Sequence, residues 1–181
     1  MKKNTIITIV SVVVVLICFG VYILSSDRFP RTSRAAIEQA AEGQRFMISE
    51  IIDEIKIDKN RTLTLYLNGY GELDCAVTHK NLFYYTVDRF AGHVYTPNSE
   101  NVLPSVNYRA ILHFTGYESG EEYACFGVIL DDDVTRIEFN GKDMEEIAFK
   151  GMRIVYTYGS GNPKSKFILY DKDNNVLELT K

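Results

Sequence analysis

The run Glu122 to Leu130, EYACFGVIL, decides how this chain folds. It is nearly apolar throughout instead of alternating, the pattern of a central strand with both faces covered. Working outward, Asp131-Asp132-Asp133 turns into a strand at Val134 to Phe139, and Asn140-Gly141 is a turn dipeptide. Met144 to Phe149 predicts a short helical turn and Met152 to Tyr158 a strand. Gly159 to Lys164 (GSGNPK) reads as a loop, and Lys166 to Asp171 with Val176 to Thr180 as a final hairpin across KDNN.

Upstream, Gly116 to Gly120 turns after a strand at Asn107 to Thr115, and Thr96 to Ser105 (TPNSENVLPS) is a loop of turn residues. Leu82 to Asp88 reads as a strand. Leu63, Leu65 and Leu67 alternate with Thr62, Thr64 and Tyr66, and Asn68-Gly69 then turns the chain back through Glu72 to His79. Phe46 to Asp58 is ambiguous. Met47, Ile48, Ile51, Ile52 and Ile55 have helical spacing, while Ile55 and Ile57 alternate, so helix at its start and strand at its end both stay open. Ser33 is placed to cap a helix over RAAIEQAAEGQ that ends near Gly43. One short helix followed by about nine short strands is an α+β, mainly β, pattern, expected to close as an antiparallel sandwich or a strongly curved sheet.

Ahead of this domain stands Thr5 to Leu24, TIITIVSVVVVLICFGVYIL, uninterrupted by charge. A helix of that length rises about 30 Å, the thickness of a bilayer's hydrocarbon core. A cleaved signal peptide would have a shorter apolar core and a small-residue cleavage site, and Leu24-Ser25-Ser26 is a poor one. A lipoprotein signal would put small residues before Cys18, where Leu16-Ile17 stand. The run is therefore expected to be a transmembrane anchor. Residues 1–4 are then a cytoplasmic tail, 5–24 the anchor in the lipid bilayer, 25–32 a linker broken by Phe29-Pro30, and 33–181 one β-rich domain. Lys2 and Lys3 lie on one side of the run; Arg28, Arg31 and Arg34 lie on the other. The basic flanks nearly cancel. Lys2 and Lys3 sit tight against the run, as in a signal anchor, and place the C-terminal domain outside the cytoplasm. A tail as short as Met1 to Asn4 is not expected to pass a signal inward.

About 150 residues beyond the anchor suffice for one domain with a real core. Net charge is −4; with Lys2 and Lys3 set aside, 18 basic and 24 acidic side chains remain, a net −6. Nucleic acid is excluded as a partner, since its binding runs on clustered Lys and Arg. Cys75 and Cys125 could form a disulfide outside the cytoplasm or remain two buried thiols.

No catalytic constellation emerges. His79, His93 and His113 have no zinc-hydrolase spacing. Asp131-Asp132-Asp133 and Asp171-x-Asp173-x-Asn175 suggest calcium, but Val176 stands where an EF-hand needs Gly, and polar turns explain both. Cys75 and His79 lie about 13 Å apart along a strand and form no dyad. Neither G-x-S-x-G nor a phosphate-cradling glycine loop is present, and no motif implies a cofactor. Phe83, Tyr84 and Tyr85 put aromatics on both faces of their strand, one of them a candidate binding surface.

The segments LTLYLNGYGELDCAV, FGVILDDDVTRIEFNG, MRIVYTYG and FILYDKDNNVLEL together resemble small extracytoplasmic domains of Gram-positive bacteria that sit behind a signal or membrane anchor. The resemblance covers most of the soluble part. It implies a β-rich surface domain and carries over no functional residue. The expected function is a membrane-anchored binding or accessory module for an envelope protein or cell-wall component. An envelope hydrolase with spatially convergent residues, or an oligomerising structural domain, is the alternative.

Overall fold

The computed structural model describes residues 3–26, 28–44, 46–100, 107–116, 122–161 and 166–180. Residues 1 and 2 of the expected tail, the 96–105 loop beyond Glu100, the 117–120 turn and residues 162–164 of the GSGNPK loop lie outside them. Two helices, α1 (Lys3–Ser25) and α2 (Ser33–Ala40), precede twelve strands. β1 (Ile48–Lys56), β2 (Arg61–Asn68), β3 (Leu73–Lys80) and β4 (Tyr85–Val94) form one antiparallel sheet in chain order. β5 (Ala110–Gly116), β6 (Glu122–Ile129), β9 (Glu145–Phe149) and β10 (Met152–Ser160) form a second, ordered β5-β6-β10-β9. β7 (Arg136–Phe139), β8 (Lys142–Asp143), β11 (Phe167–Tyr170) and β12 (Val176–Leu177) form a third, ordered β12-β11-β7-β8.

The second sheet is the middle layer. Ala124, Phe126 and Val128 of β6 pack with Leu63, Leu65, Leu67, Cys75 and Val77 of the first sheet. Tyr123, Cys125 and Ile129, on the opposite face of the same strand, pack with Ile137, Phe139 and Leu169 of the third. Alternate side chains of one strand thus feed two cores, which is why EYACFGVIL carries no polar alternation. The sandwich expected from sequence is present with one more sheet stacked on it. Of Met144 to Phe149, expected as a helical turn, residues 145–149 form strand β9, because Ile147 pairs with Ile154 at the edge of the middle sheet.

The first sheet is also covered outside. Ile37 of α2 packs against Tyr66 and Ala76. Thr32 caps α2, accepting the Ala35 N–H at 3.0 Å. Ser33, expected as the cap, is instead buried, and its hydroxyl bonds Thr64 Oγ1 at 3.0 Å and Thr78 Oγ1 at 2.9 Å. α2 ends at Ala40, earlier than Gly43. Phe46 to Asp58 resolves into β1 from Ile48 onward, without helix.

Among the described residues, no helix is long and apolar enough to cross a membrane. The transmembrane span expected over Thr5 to Leu24 is therefore not part of the observed fold and belongs to the functional proposal below.

Cys75 and Cys125 are free and buried, so the bridge considered from sequence is not formed. The reason is alternation: Cys75 faces the core between the first two sheets, and Cys125 faces the core on the far side of β6. Burial raises both thiols above their usual range, Cys125 to about 12. Denatured without reductant, the chain should titrate all three thiols, Cys18 included; in the folded protein Cys75 and Cys125 should resist alkylation. A count of one thiol after denaturation would show a bridge instead.

Candidate functional site

The site is built on a break in the first sheet. Cys75 pairs with Ala91, but Leu73 pairs with Val94, so Gly92 and His93 together oppose Asp74. Such a bulge bends its strand and re-aims a side chain. His93 takes φ 71°, a left-handed conformation that costs a non-glycine residue about 1–2 kcal/mol. Gly92 is demanded by close approach, because a Cβ there would lie 1.9 Å from Asp74 Oδ1. The His93 N–H, freed from the ladder by the bulge, donates to that same oxygen at 2.5 Å.

Two carboxylates lie behind the imidazole, Glu72 1% exposed and Asp74 0%. Asn68 organises them. Its Nδ2 donates to Glu72 Oε2 and Asp74 Oδ2, both at 3.0 Å, and its Oδ1 accepts the N–H groups of Tyr70 and Glu72. His93 Nδ1 stands 3.3 Å from Glu72 Oε2 and 3.5 Å from Asp74 Oδ1, aligned for a hydrogen bond with neither. Phe46 stacks on the imidazole at 4.9 Å between ring centres. Burial pushes the Asp74 carboxyl up to about 6, and the neighbouring Glu72 carboxylate adds to the rise. The hydrogen bonds from the His93 N–H and Asn68 hold it below what burial alone would give.

His93 opens onto a cleft of about 270 Å³ at the seam between β4 and β5. Tyr95, Tyr108 and His113 bring further polar groups; Ile111, Leu112 and Leu179 supply apolar wall. Burial, and next the nearby His93, lower the pKa of His113, so its ring is neutral at pH 7. A concave, half-apolar site with a few convergent polar groups is suited to holding a small polar moiety. The imidazole also stands beside two buried carboxylates, groups that could orient it as a general base once a hydrogen bond forms.

The structure brings His93 and His113 together and leaves His79 apart, in β3 opposite Thr86. Phe83 and Tyr84 do not lie on a strand as expected; they belong to the β3–β4 connection, and only Tyr85 enters β4. Asp132, Asp133 and Asp171 line one cavity of about 360 Å³ with Lys172. The Asp171 carboxylate is occupied by its own turn, accepting the N–H groups of Asp173 and Asn175 and the Asn175 side chain. Asp131 is paired with Arg109. Among the described residues, no group of three or more His, Cys, Asp or Glu is arranged to hold a metal ion.

Sequence reasoning missed Asn68, Glu72 and Asp74. The available signals were a glycine inside a strand pattern at Gly92 and an aspartate inside an otherwise apolar strand. Compared with known proteins, the chain matches no family model, no curated protein and no solved structure.

Asp74 keeps its proton in the folded state up to about pH 6 but loses it near pH 4 when unfolded, so stability falls as pH rises through that window. Relative to Asp74→Asn, the wild type should lose about 3 kcal/mol between about pH 4 and about pH 7 in denaturant titrations. A difference that stays constant with pH would place the titration elsewhere.

Proposed function

We propose that this protein is a single-pass membrane-anchored, β-rich domain held outside the cytoplasm. There it acts as a binding or accessory module for an envelope partner, an envelope protein or a cell-wall component. The observation that carries the reading is α1. Its large apolar side chains from Ile9 to Tyr22 are about half exposed or more, on every side of the helix. The uncharged sequence run Thr5 to Leu24 would rise about 30 Å as a helix, the thickness of a hydrocarbon core. A bilayer removes such a cylinder from water, where the domain's own sheets do not. The basic residues flanking the run, Lys2 and Lys3 before it and Arg28 and Arg31 after it, suit the headgroup regions. The cleft beside His93 supports the binding half of the reading, and the resemblance to small extracytoplasmic domains of Gram-positive bacteria agrees with it.

The test is fractionation followed by protease treatment of intact cells. The full chain should stay in the membrane pellet through alkaline carbonate, and external protease should cut it near the 25–32 linker. Release by carbonate would remove the anchor; a linker cut only after lysis would put the domain inside.

His93 against Glu72 and Asp74 at a cleft favours one second reading, an envelope hydrolase in which His93 activates water. Turnover of cell-wall fragments or simple esters that disappears in His93→Ala would favour it, and no turnover by the wild type would leave the binding module.

A further inference from the structure

The β3–β4 connection ends in two adjacent apolar side chains in open solvent. Leu82 is 90% exposed and Phe83 58%. Outside α1, no other neighbouring pair of large apolar residues is exposed among the described residues. The tip is a built turn, closed by the Asn81 N–H donating to the Tyr84 carbonyl at 2.8 Å.

Its position follows from three contacts to the linker. The Tyr85 N–H donates to the Pro30 carbonyl at 2.8 Å. The Arg31 guanidinium donates to the Phe83 carbonyl. The Phe29 and Tyr84 rings meet edge to face at 5.3 Å. Phe29 follows the last residue of α1, Ser25, by four positions, which limits their separation to about 14 Å. Residues 28 and 29 also turn back on Ser26, through Arg28 N–H to Ser26 Oγ and Phe29 N–H to the Ser26 carbonyl. The tip is thus pinned where the chain leaves α1.

Charged side chains lie at its base. Arg31, Arg34, Lys56 and Glu54 line a cavity of about 490 Å³ against Tyr85, Arg34 being paired with Glu38, and Lys80 Nζ lies 5.9 Å from the Tyr85 ring centre. Exposed apolar side chains with tyrosines and cations beside them suit the lipid–water boundary.

We propose that Leu82 and Phe83 form a second membrane contact, seated in the interfacial layer of the bilayer that α1 crosses, and hold the first sheet against the membrane surface. This rests on the anchor reading above. The occupant is lipid, because the tip is fixed to the residues that emerge from α1 and has the cations Arg31 and Lys80 beside it.

The chain contains no tryptophan, so single substitutions report position. Full-length Leu82→Trp, Val14→Trp and Val176→Trp variants are reconstituted into phosphatidylcholine–phosphatidylglycerol vesicles, with and without phosphatidylcholine brominated on its acyl chains. Leu82 and Val176 are both exposed, so neither substitution disturbs packing. V14W reports the anchor, and V176W reports the third sheet. L82W should emit to the blue of V176W and lose roughly half its emission to lipid brominated near the headgroup end. V14W should be quenched by bromine deeper in the chain. If V14W is quenched while L82W emits like V176W, the tip is not in the membrane and the proposal falls with the anchor intact; a protein partner would then be the occupant. If V14W is not quenched, the anchor reading falls and the tip proposal with it.

Discussion

The double burial of β6 is the constraint on which the rest of the structure depends. Phe126 and Val128 need one apolar layer against them, and Cys125 and Ile129 need another. A strand apolar on both faces cannot be satisfied by a two-layer sandwich with an open side. The first sheet takes one face and the third takes the other. β10 follows the same rule, with Ile154 and Tyr156 on one side and Val155 on the other. Gly127 lets β5 come close: a Cβ there would lie 2.2 Å from the Ile111 carbonyl oxygen. β5 then forms the edge of the middle sheet that meets β4, and that seam is where the cleft opens.

The cleft inherits its chemistry from a second buried surface. α2 lies on the outer face of the first sheet, so polar residues that would otherwise meet water are enclosed. Ser33, Thr64 and Thr78 satisfy one another there, and Asn68 divides its amide between Glu72 and Asp74. Buried polar groups persist when each finds a partner. Here the network also fixes the bulge that turns His93 toward the seam. Site and scaffold are the same hydrogen bonds.

Much of this was legible in the sequence and some was not, for physical reasons. EYACFGVIL announced a central strand because apolar residues on consecutive positions mean two covered faces. Asn68-Gly69 and Asn140-Gly141 announced their hairpins because turn chemistry is local. Thr64 and Tyr66 alternate with leucines, and their burial under α2 comes from a segment distant in the chain. Met144 to Phe149 reads as a helical turn because edge pairing with β10 is a tertiary fact. Likewise the His93 site depends on a bulge whose partner, Asp74, lies 19 residues earlier. Phe83 to Tyr85 read as aromatics of one strand; their contacts with Phe29, Pro30 and Arg31 are tertiary, and spacing along a strand does not reveal them.

An apolar helix that the domain leaves uncovered is joined to a domain organised about β6. Amide hydrogen exchange on the full chain in lipid nanodiscs tests both halves at once. The account predicts that residues 9–22 and the β6 amides of residues 123–129 exchange slowest, with the 81–84 tip faster than either. Rapid exchange across 9–22 in the presence of lipid, alongside a protected β6, would contradict it.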